Sequence, residues 1–545
     1  MTVSQRVRRG RIRGGKNLPK DKRAETMAGS ADRNAHRRDA TFEAAVGGEG
    51  TTTEATTGPL LPGPRAGPSG NQPQDRDPDL TRYLCATAYL KHRYANSLIR
   101  KIAADPHVAV APAPACDVPV VLRHAYRANA RRHYRDLVLC VFLLFIIALQ
   151  VAGRHDLTAL PLLLSWVVVM CYDLSTRYGV LKKFRRDTFR PEDAPVPPND
   201  KIKQRLDDIG AYADGNMTVY SGYSPFIGFG TEVESWLLNF DTTVRDDSVT
   251  NQAATAARDV DVAELYANVA EHVGTVGLPG LQIEERLFVD GSALDDNRSL
   301  LSERDRPVPG IAPELMDELK REPKRDARPY LAVHCAGWEG ELVASFFLRF
   351  VISGSTLFVE AVQTVLLPLS DRYRGVDNVG LHPTLRFLAG RILETPFSTI
   401  LLLLAAPVRA VIGFDPDFPV SWRVRLRKRR INYLGTFDYG ARMSARPQSA
   451  DDEFRNHFQA TDGYRFLKSI ERRALDALIK FAEEHGMDTR DLKTQHDAIV
   501  NNGIIATGSA RVESNSVASG TRARIGGRVR GKSGTAKRVR STVGL

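Results

Sequence analysis

Several groupings in this chain have residue types that could do chemistry. Gly526-Gly527-Arg528-Val529-Arg530-Gly531-Lys532-Ser533 has the spacing G-x-x-x-x-G-K-S of a phosphate loop. Such a loop holds phosphates only when a strand before it and a helix after it aim its backbone N–H groups at one point. Twelve residues follow Ser533, so the expectation is a chance match in a low-complexity tail and no nucleotide site. His334 and Cys335 would suit Cys–His nucleophilic chemistry. They are neighbours on an expected strand, where successive side chains point to opposite faces, so they cannot pair. The acidic pairs Asp259/Asp261 and Asp415/Asp417 could hold a cation, but helix capping and turns account for them more simply.

The most distinctive loop is Ser221-Gly222-Tyr223-Ser224-Pro225-Phe226-Ile227-Gly228-Phe229-Gly230. It has neither a dinucleotide fingerprint nor a nucleophile elbow. Tyr223, Ser224, Phe226, Gly228 and Gly230 are the candidate ligand or partner residues, because glycine lets a backbone approach closely and the rings can face a partner. A structural turn is the favoured reading of the loop, with a ligand or partner contact as the alternative. No catalytic residue, metal ligand or cofactor emerges. A convergence of Asp, Glu and His around this loop would favour a hydrolase-like enzyme over a binding protein.

The elements that position these residues are dominated by two apolar runs, Leu137–Gly153 and Leu157–Tyr172, separated by Arg154-His155-Asp156. A membrane span needs roughly 20 apolar residues, with about 17 tolerated. Both runs are near the short end, and a pair of helices apolar on all sides rarely occurs in a soluble core. The reading is a transmembrane hairpin. Arg123, Arg127, Arg131, Arg132 and Arg135 precede it, and Arg177, Lys182, Lys183, Arg185 and Arg186 follow it. Basic flanks stay cytoplasmic, so the turn is expected outside and both termini inside, at the cell membrane. Arg131, Arg132, Arg135, Lys182, Lys183, Arg185 and Arg186 are the expected lipid-facing cations. A third apolar stretch, Phe397–Ala406, lies between Pro396 and Pro407. At about ten residues it suits a core or interfacial helix.

The formal charge of +12 over 545 residues is unevenly spread. Residues 1–40 hold 12 Lys and Arg against 4 Asp and Glu, and residues 511–545 hold 9 against 1, which leaves the middle net acidic. The tails are Gly-rich, basic and poor in aromatics, a composition expected to stay disordered. They and the run Arg423–Arg430 would be drawn to anionic lipid, which the apolar pair favours over nucleic acid. Five widely spaced cysteines form no disulfide or zinc pattern and fit a reducing compartment. No apolar segment follows the basic N-terminus, so no signal peptide is expected.

Between the tails the expected fold class is α+β: a transmembrane helical hairpin, then a cytoplasmic mixed α+β domain and C-terminal helices. The divisions are a tail at 1–78, a helical cytoplasmic segment at 79–136, the hairpin at 137–172, the α+β domain at 190–445, the helical segment at 446–505 and a tail at 511–545. Strands are expected at Met217–Tyr220, Glu232–Phe240, Leu281–Val289, Pro329–Cys335, Glu341–Ile352 and Thr356–Leu369. Helices are expected at Asp261–Val273, Ala312–Arg321, Asp451–His485 and Asp488–Val500.

Several stretches resemble a family of uncharacterised two-span membrane proteins of Streptomyces and related actinobacteria. They are RYLCATAYL (82–90), VAVAPAPACDVPVVLRHAYRANARR (108–132), VYSGYSPFIGFG (219–230), GWEGELVASFFLR (337–349), FDYGARMSAR (437–446) and IERRALDALIKFAEEHGMDT (470–489). The likeness covers most of residues 80–510, and the long basic N-terminal extension departs from it. It implies topology and source and assigns no catalytic residue. Three functions stand open: a membrane-anchored binding protein with bilayer lipid, a second copy or another protein as partner; a membrane-anchored enzyme; and an oligomeric channel lined by Gln150 and Ser165.

Overall fold

The structure, a computed structural model, describes residues 78–242, 260–302, 306–380, 382–414, 437–487 and 489–501. Both basic tails, the phosphate-loop match, Asp259, Asp415, Asp417 and Arg423–Arg430 lie outside the described residues. The chain enters as helices α1 (Pro78–Leu90) and α2 (His92–Leu98), then α3 runs unbroken over Val118–Val151. The Asp117 side chain starts α3 by accepting from the Val120 N–H at 3.1 Å. At 34 residues the helix is about 51 Å long. Its first turns are buried in the protein, whereas Leu137, Val138, Val141, Leu144, Phe145 and Ile147 are exposed. Gly153, at φ +72°, ends it. The Gly153 N–H reaches the Gln150 carbonyl and the Arg154 N–H the Leu149 carbonyl, a left-handed cap that favours glycine. Helix α4 (Ala159–Leu174) sits within a helical run from His155 to Phe184. It runs beside α3, with Arg131 bonded to Ser175, Arg135 over the Tyr172 ring and Leu139 packed in one cluster with Val169.

Helix α5 (Asp200–Asp214) follows, capped by Asn199 on the Ile202 N–H. A six-stranded sheet comes next, with spatial order β1-β3-β4-β5-β6-β2. Its strands are β1 (Met217–Tyr220), β2 (Thr231–Asp241), β3 (Leu281–Asp290), β4 (Ala327–Gly337), β5 (Leu342–Ser353) and β6 (Thr356–Leu366). Only β1–β3 pair in parallel; β3 through β6 and β2 pair antiparallel. Alternation gives each strand two faces. One face carries Leu331, Val333, Phe346, Leu348, Val359 and Ala361. Helices α6 (Val262–Gly274) and the long helix His457–Glu484 cover it with Leu265, Val269, Phe466, Ile470 and Leu478. Helix α7 (Pro313–Arg321) buries Met316 and Leu319 beside β1 and β3. The other face holds a smaller aromatic cluster of Phe226, Phe229, Phe288, Tyr330 and Phe347.

The third apolar segment is longer than its sequence predicts. Helix α8 covers Leu385–Leu404, with Thr384 as its cap and Pro396 inside it. By length and composition it joins α3 and the His155–Phe184 run as the third helix able to cross a membrane. Pro396 cannot donate to the carbonyl four residues back. The Thr395 and Thr399 hydroxyls beside it bond to the carbonyls of Arg391 and Thr395, and the helix runs on through the proline. Helix α9 (Ala406–Phe414) follows at once, then α10 (Ala445–Ser449), α11 (His457–Glu484) and α12 (Arg490–Asn501). Helices α1 and α3 share one apolar cluster with Met217, Leu287 and Tyr439, and α11 closes the sheet core.

Candidate functional site

A cavity of about 730 Å³ opens where α2, α3, the end of α4, α8 and α9 meet. Eight arginines and two aspartates supply the formal charge of its lining. Four arginines share two carboxylates. Asp136, buried on α3, takes Arg135 at 2.7 Å and Arg409 at 3.3 Å. Asp173, at the end of α4, takes Arg177 at 3.3 Å and Arg391 at 3.2 Å. Arg132 is spent on structure, donating to the carbonyls of Ala88 and Tyr89 and to Asn129.

The remaining cations are Arg100, Arg123 and Arg127. Arg100 and Arg127 are exposed, and the Nε of Arg123 and Nδ1 of His133 are buried with no hydrogen-bond partner among the described residues. The wall also carries Leu90, Ile99, Val169 and Leu402. Surplus guanidinium with apolar surface beside it is chemistry for an anion on a hydrophobic stem, since the arginine fork matches phosphate and carboxylate oxygens. One level further along α3, the exposed apolar surface begins at Leu137.

Of the expected lipid-facing cations, Arg132 and Arg135 line this cavity and Arg131 lies on its flank, bonded to Ser175 at 2.9 Å. Lys182, Lys183, Arg185 and Arg186 are exposed on the outside, where Arg186 pairs with Asp79 and Glu339. Sequence reasoning passed over Arg100, Arg391 and Arg409, which come from segments far apart in the chain. The one available signal was the spacing of Arg123, Arg127 and Arg131, which places a basic stripe on one face of α3.

The loop 221–230 divides into two parts. Tyr223 and Ser224 form an exposed tip, and Phe226 is buried against Phe347 and Phe288. Gly228 and Gly230 have φ of +105° and +97°. A Cβ on either would lie 2.3 Å from the Pro112 carbonyl oxygen or 2.2 Å from that of Val365. Phe226, Gly228 and Gly230 therefore seat the loop.

Beneath the loop is a buried polar chain. Ser345 meets His334 Nδ1 at 2.8 Å, His334 Nε2 lies 3.2 Å from Glu284, and Glu284 accepts from Arg286 at 2.6 Å. The register explains it, because His334 lies opposite Gln282 on β3 and Ser345 on β5, on one sheet face. Phe229 stacks flat on the His334 ring, with centroids 4.9 Å apart, and Arg286 sits over Phe229. Burial alone would raise the Glu284 carboxyl; the Arg286 and His334 partners outweigh it and hold the pKa at about 2.

A Glu and a His thus do converge on this loop, with a serine next to them. As catalytic machinery the arrangement is poor. Ser345 is 0% exposed, lies in mid-strand, and its neighbouring N–H groups are committed to the ladder. Cys335 points to the opposite face, toward the Pro279 carbonyl. Asp261 caps α6 through the Ala263 N–H and pairs with Arg321. Among the described residues no group of three or more His, Cys, Asp or Glu is placed to hold a metal.

No curated protein and no solved structure matches this chain. A family model does match, the AbeC-like domain, over residues 235–516. That region begins in β2 and includes β3 to β6, α8 and α9 with Arg391 and Arg409, and the long helix α11, and leaves out β1. It lies wholly C-terminal to α3 and α4. The match spans more than half of the 545 residues, and on that extent the chain belongs to the AbeC-like domain family.

Proposed function

We propose that this chain is a membrane-anchored binding protein that takes an anionic lipid headgroup into the arginine cavity. The observation that carries the reading is the surplus of guanidinium in a cavity placed where the exposed apolar surface of α3 starts. Helix α3 and the helical run around α4 are read as a transmembrane hairpin at the cell membrane. The cavity and the sheet then face the cytoplasm, as do both termini. Two things support that orientation. The basic residues flank the outer ends, and those ends pack in one core, where Arg82 bonds to the Phe184 carbonyl at 2.9 Å and the rings of Tyr89, His124 and Phe184 meet.

The test uses the full chain in nanodiscs of phosphatidylcholine with or without phosphatidylglycerol, read by native mass spectrometry of retained lipid. Phosphatidylglycerol should be retained at least tenfold over phosphatidylcholine, and Arg123→Gln/Arg127→Gln should abolish the preference. Glycerol phosphate alone should compete weakly, because it lacks the apolar stem. Equal retention of the two lipids, or a preference unchanged in the double variant, would refute the site. A cysteine placed at His155 should react with an impermeant maleimide from outside intact cells; reaction only after permeabilisation would overturn the topology.

The second reading is an enzyme using Ser345, His334 and Glu284, favoured by their hydrogen-bonded sequence. The burial of Ser345 weighs against it.

A further inference from the structure

We infer that α8 and α9, although α8 has the length of a span, do not cross the membrane. They lie in the plane of the cytoplasmic leaflet, with an apolar face against its acyl chains. The inference rests on the reading of α3 and α4 as a hairpin.

The first argument is the path of the chain. Just before α8, Leu369 bridges to Ala450, the Ser370 N–H bonds to the Ser449 carbonyl and Thr87 donates to the Tyr373 carbonyl. Just after α9 and the undescribed segment, the Tyr439 N–H bonds to the Gly291 carbonyl and the Ala441 N–H to that of Val219. The chain leaves one folded body and returns to the same body. The number of crossings in between must be even. If α8 were one, a second run of roughly 20 apolar residues would have to bring the chain back. Helix α9 has nine residues, and the stretch that follows it carries Asp415, Asp417, Pro416, Pro419 and six Lys and Arg within Arg423–Arg430. Nothing there has the composition of a return span.

The second argument is level. Arg391 in α8 pairs with Asp173 at the basic end of α4, and Arg409 in α9 pairs with Asp136, one residue before the exposed run of α3. Between them, Trp166 Nε1 donates to Thr395 at 2.7 Å, and Leu403 and Ala406 cluster with Leu139 and Val169. Arg391, Leu403, Ala406 and Arg409 meet α3 and α4 toward their basic ends, and Trp166 lies midway along α4. A helix crossing alongside α4 would also meet its far end near Ala159.

The third argument is the face. Thr395, Thr399 and Leu403, four residues apart, are buried. Leu393, Phe397, Leu401, Leu404, Val408 and Val411 are exposed, Leu393 at 81% and Val411 at 76%. A span packed on α3 and α4 would bury one face as well, so this pattern fixes which side of α8 and α9 meets lipid, while the path and the level fix their depth. The apolar face continues the exposed surface of α3 and α4, so acyl chain is the occupant its position selects. The opposite side supplies Arg391, Thr395, Leu402 and Arg409 to the cavity wall.

Two measurements on the full chain in its membrane test this. Single cysteines at Leu393, Phe397, Leu401, Leu404 and Val408 carry a fluorophore, quenched by lipids brominated at shallow or deep acyl positions. All five should show the same shallow depth; a steady gradient from Leu393 to Val408 would overturn the inference. Cysteines at His382 and Arg442 should both be shielded from impermeant maleimide in intact cells and both react in inside-out vesicles. Reaction of one but not the other from outside would mean that α8 crosses. If the cysteine at position 155 is external and those at 382 and 442 lie on opposite sides, this inference fails and the hairpin stands. If the cysteine at 155 is never external while the five fluorophores share one shallow depth, the hairpin fails and the in-plane helix stands.

Discussion

Glu284 is a residue whose local chemistry has a measurable consequence. Its carboxyl sits at about 2, against an ordinary 4.5, because Arg286 and His334 more than offset the burial that would raise it. A carboxylate with a depressed folded value lends stability that is complete above the unfolded value and lost as pH falls through the folded one. That window runs from about 4.5 down to about 2. Glu284→Gln should therefore flatten the acid limb of the melting midpoint across this window in detergent. Near neutral pH it should cost about 3–5 kcal/mol, since Arg286 stays buried without its partner. An unchanged slope between pH 4.5 and 2 would show that another carboxyl sets the acid limit. At the same scale, Tyr223 and Ser224 are the exposed tip of the loop.

At the scale of elements, the loop 221–230 is a seated strap, and its glycines are the seat. Gly230→Ala combines φ +97° with a 2.2 Å contact to the Val365 carbonyl oxygen. Gly222→Ala meets a similar φ of +95° but open space. The second should cost about 1 kcal/mol from backbone strain and the first clearly more. Chemical denaturation of both variants checks the order, and equal losses would mean the loop can lift off the sheet freely. The strands were legible in the sequence because β4, β5 and β6 are β-rich apolar runs and Gly337, Gly340 and Gly354 mark their turns. Helix α5 escaped notice because Ile202, Leu206 and Ile209 are diluted by Asp and Lys after a Pro-rich stretch. The N-terminal half of α8 was cut away at Pro396, although the helix runs on through the proline. The loop stood out by composition, but the Glu284–His334–Ser345 chain beneath it did not. It depends on strand register, which no single segment encodes.

At the scale of the molecule, buried arginines tie remote segments together. Arg82 joins α1 to the Phe184 carbonyl and to Asp377, and Arg205 on α5 donates to the carbonyls of Ile102, Ala103, Asp105 and Val108. Arg82→Met should lower the melting midpoint in detergent, at a cost of about 2 kcal/mol. One buried carbonyl loses its donor, while Asp377 is exposed enough for water to replace the ion pair. A midpoint equal to that of the parent chain would show that the anchor and the sheet are coupled through apolar packing alone. The arginine cavity belongs to this scale too. Its cations converge from α2, α3, α4, α8 and α9, so no motif announces it.

The in-plane placement of α8 has a mechanical consequence. If α3 and α4 span as proposed, they take up room in both leaflets alike, but a 20-residue helix lying in one leaflet displaces lipid there alone. With a length of about 30 Å and a width of about 10 Å, it adds roughly 300 Å² to that leaflet. The two leaflets then differ in preferred area, and the strain is relieved where the cytoplasmic side bulges outward. On that placement, membrane shape would be a variable that this chain senses, and crowding enough copies into one patch would let it impose that shape.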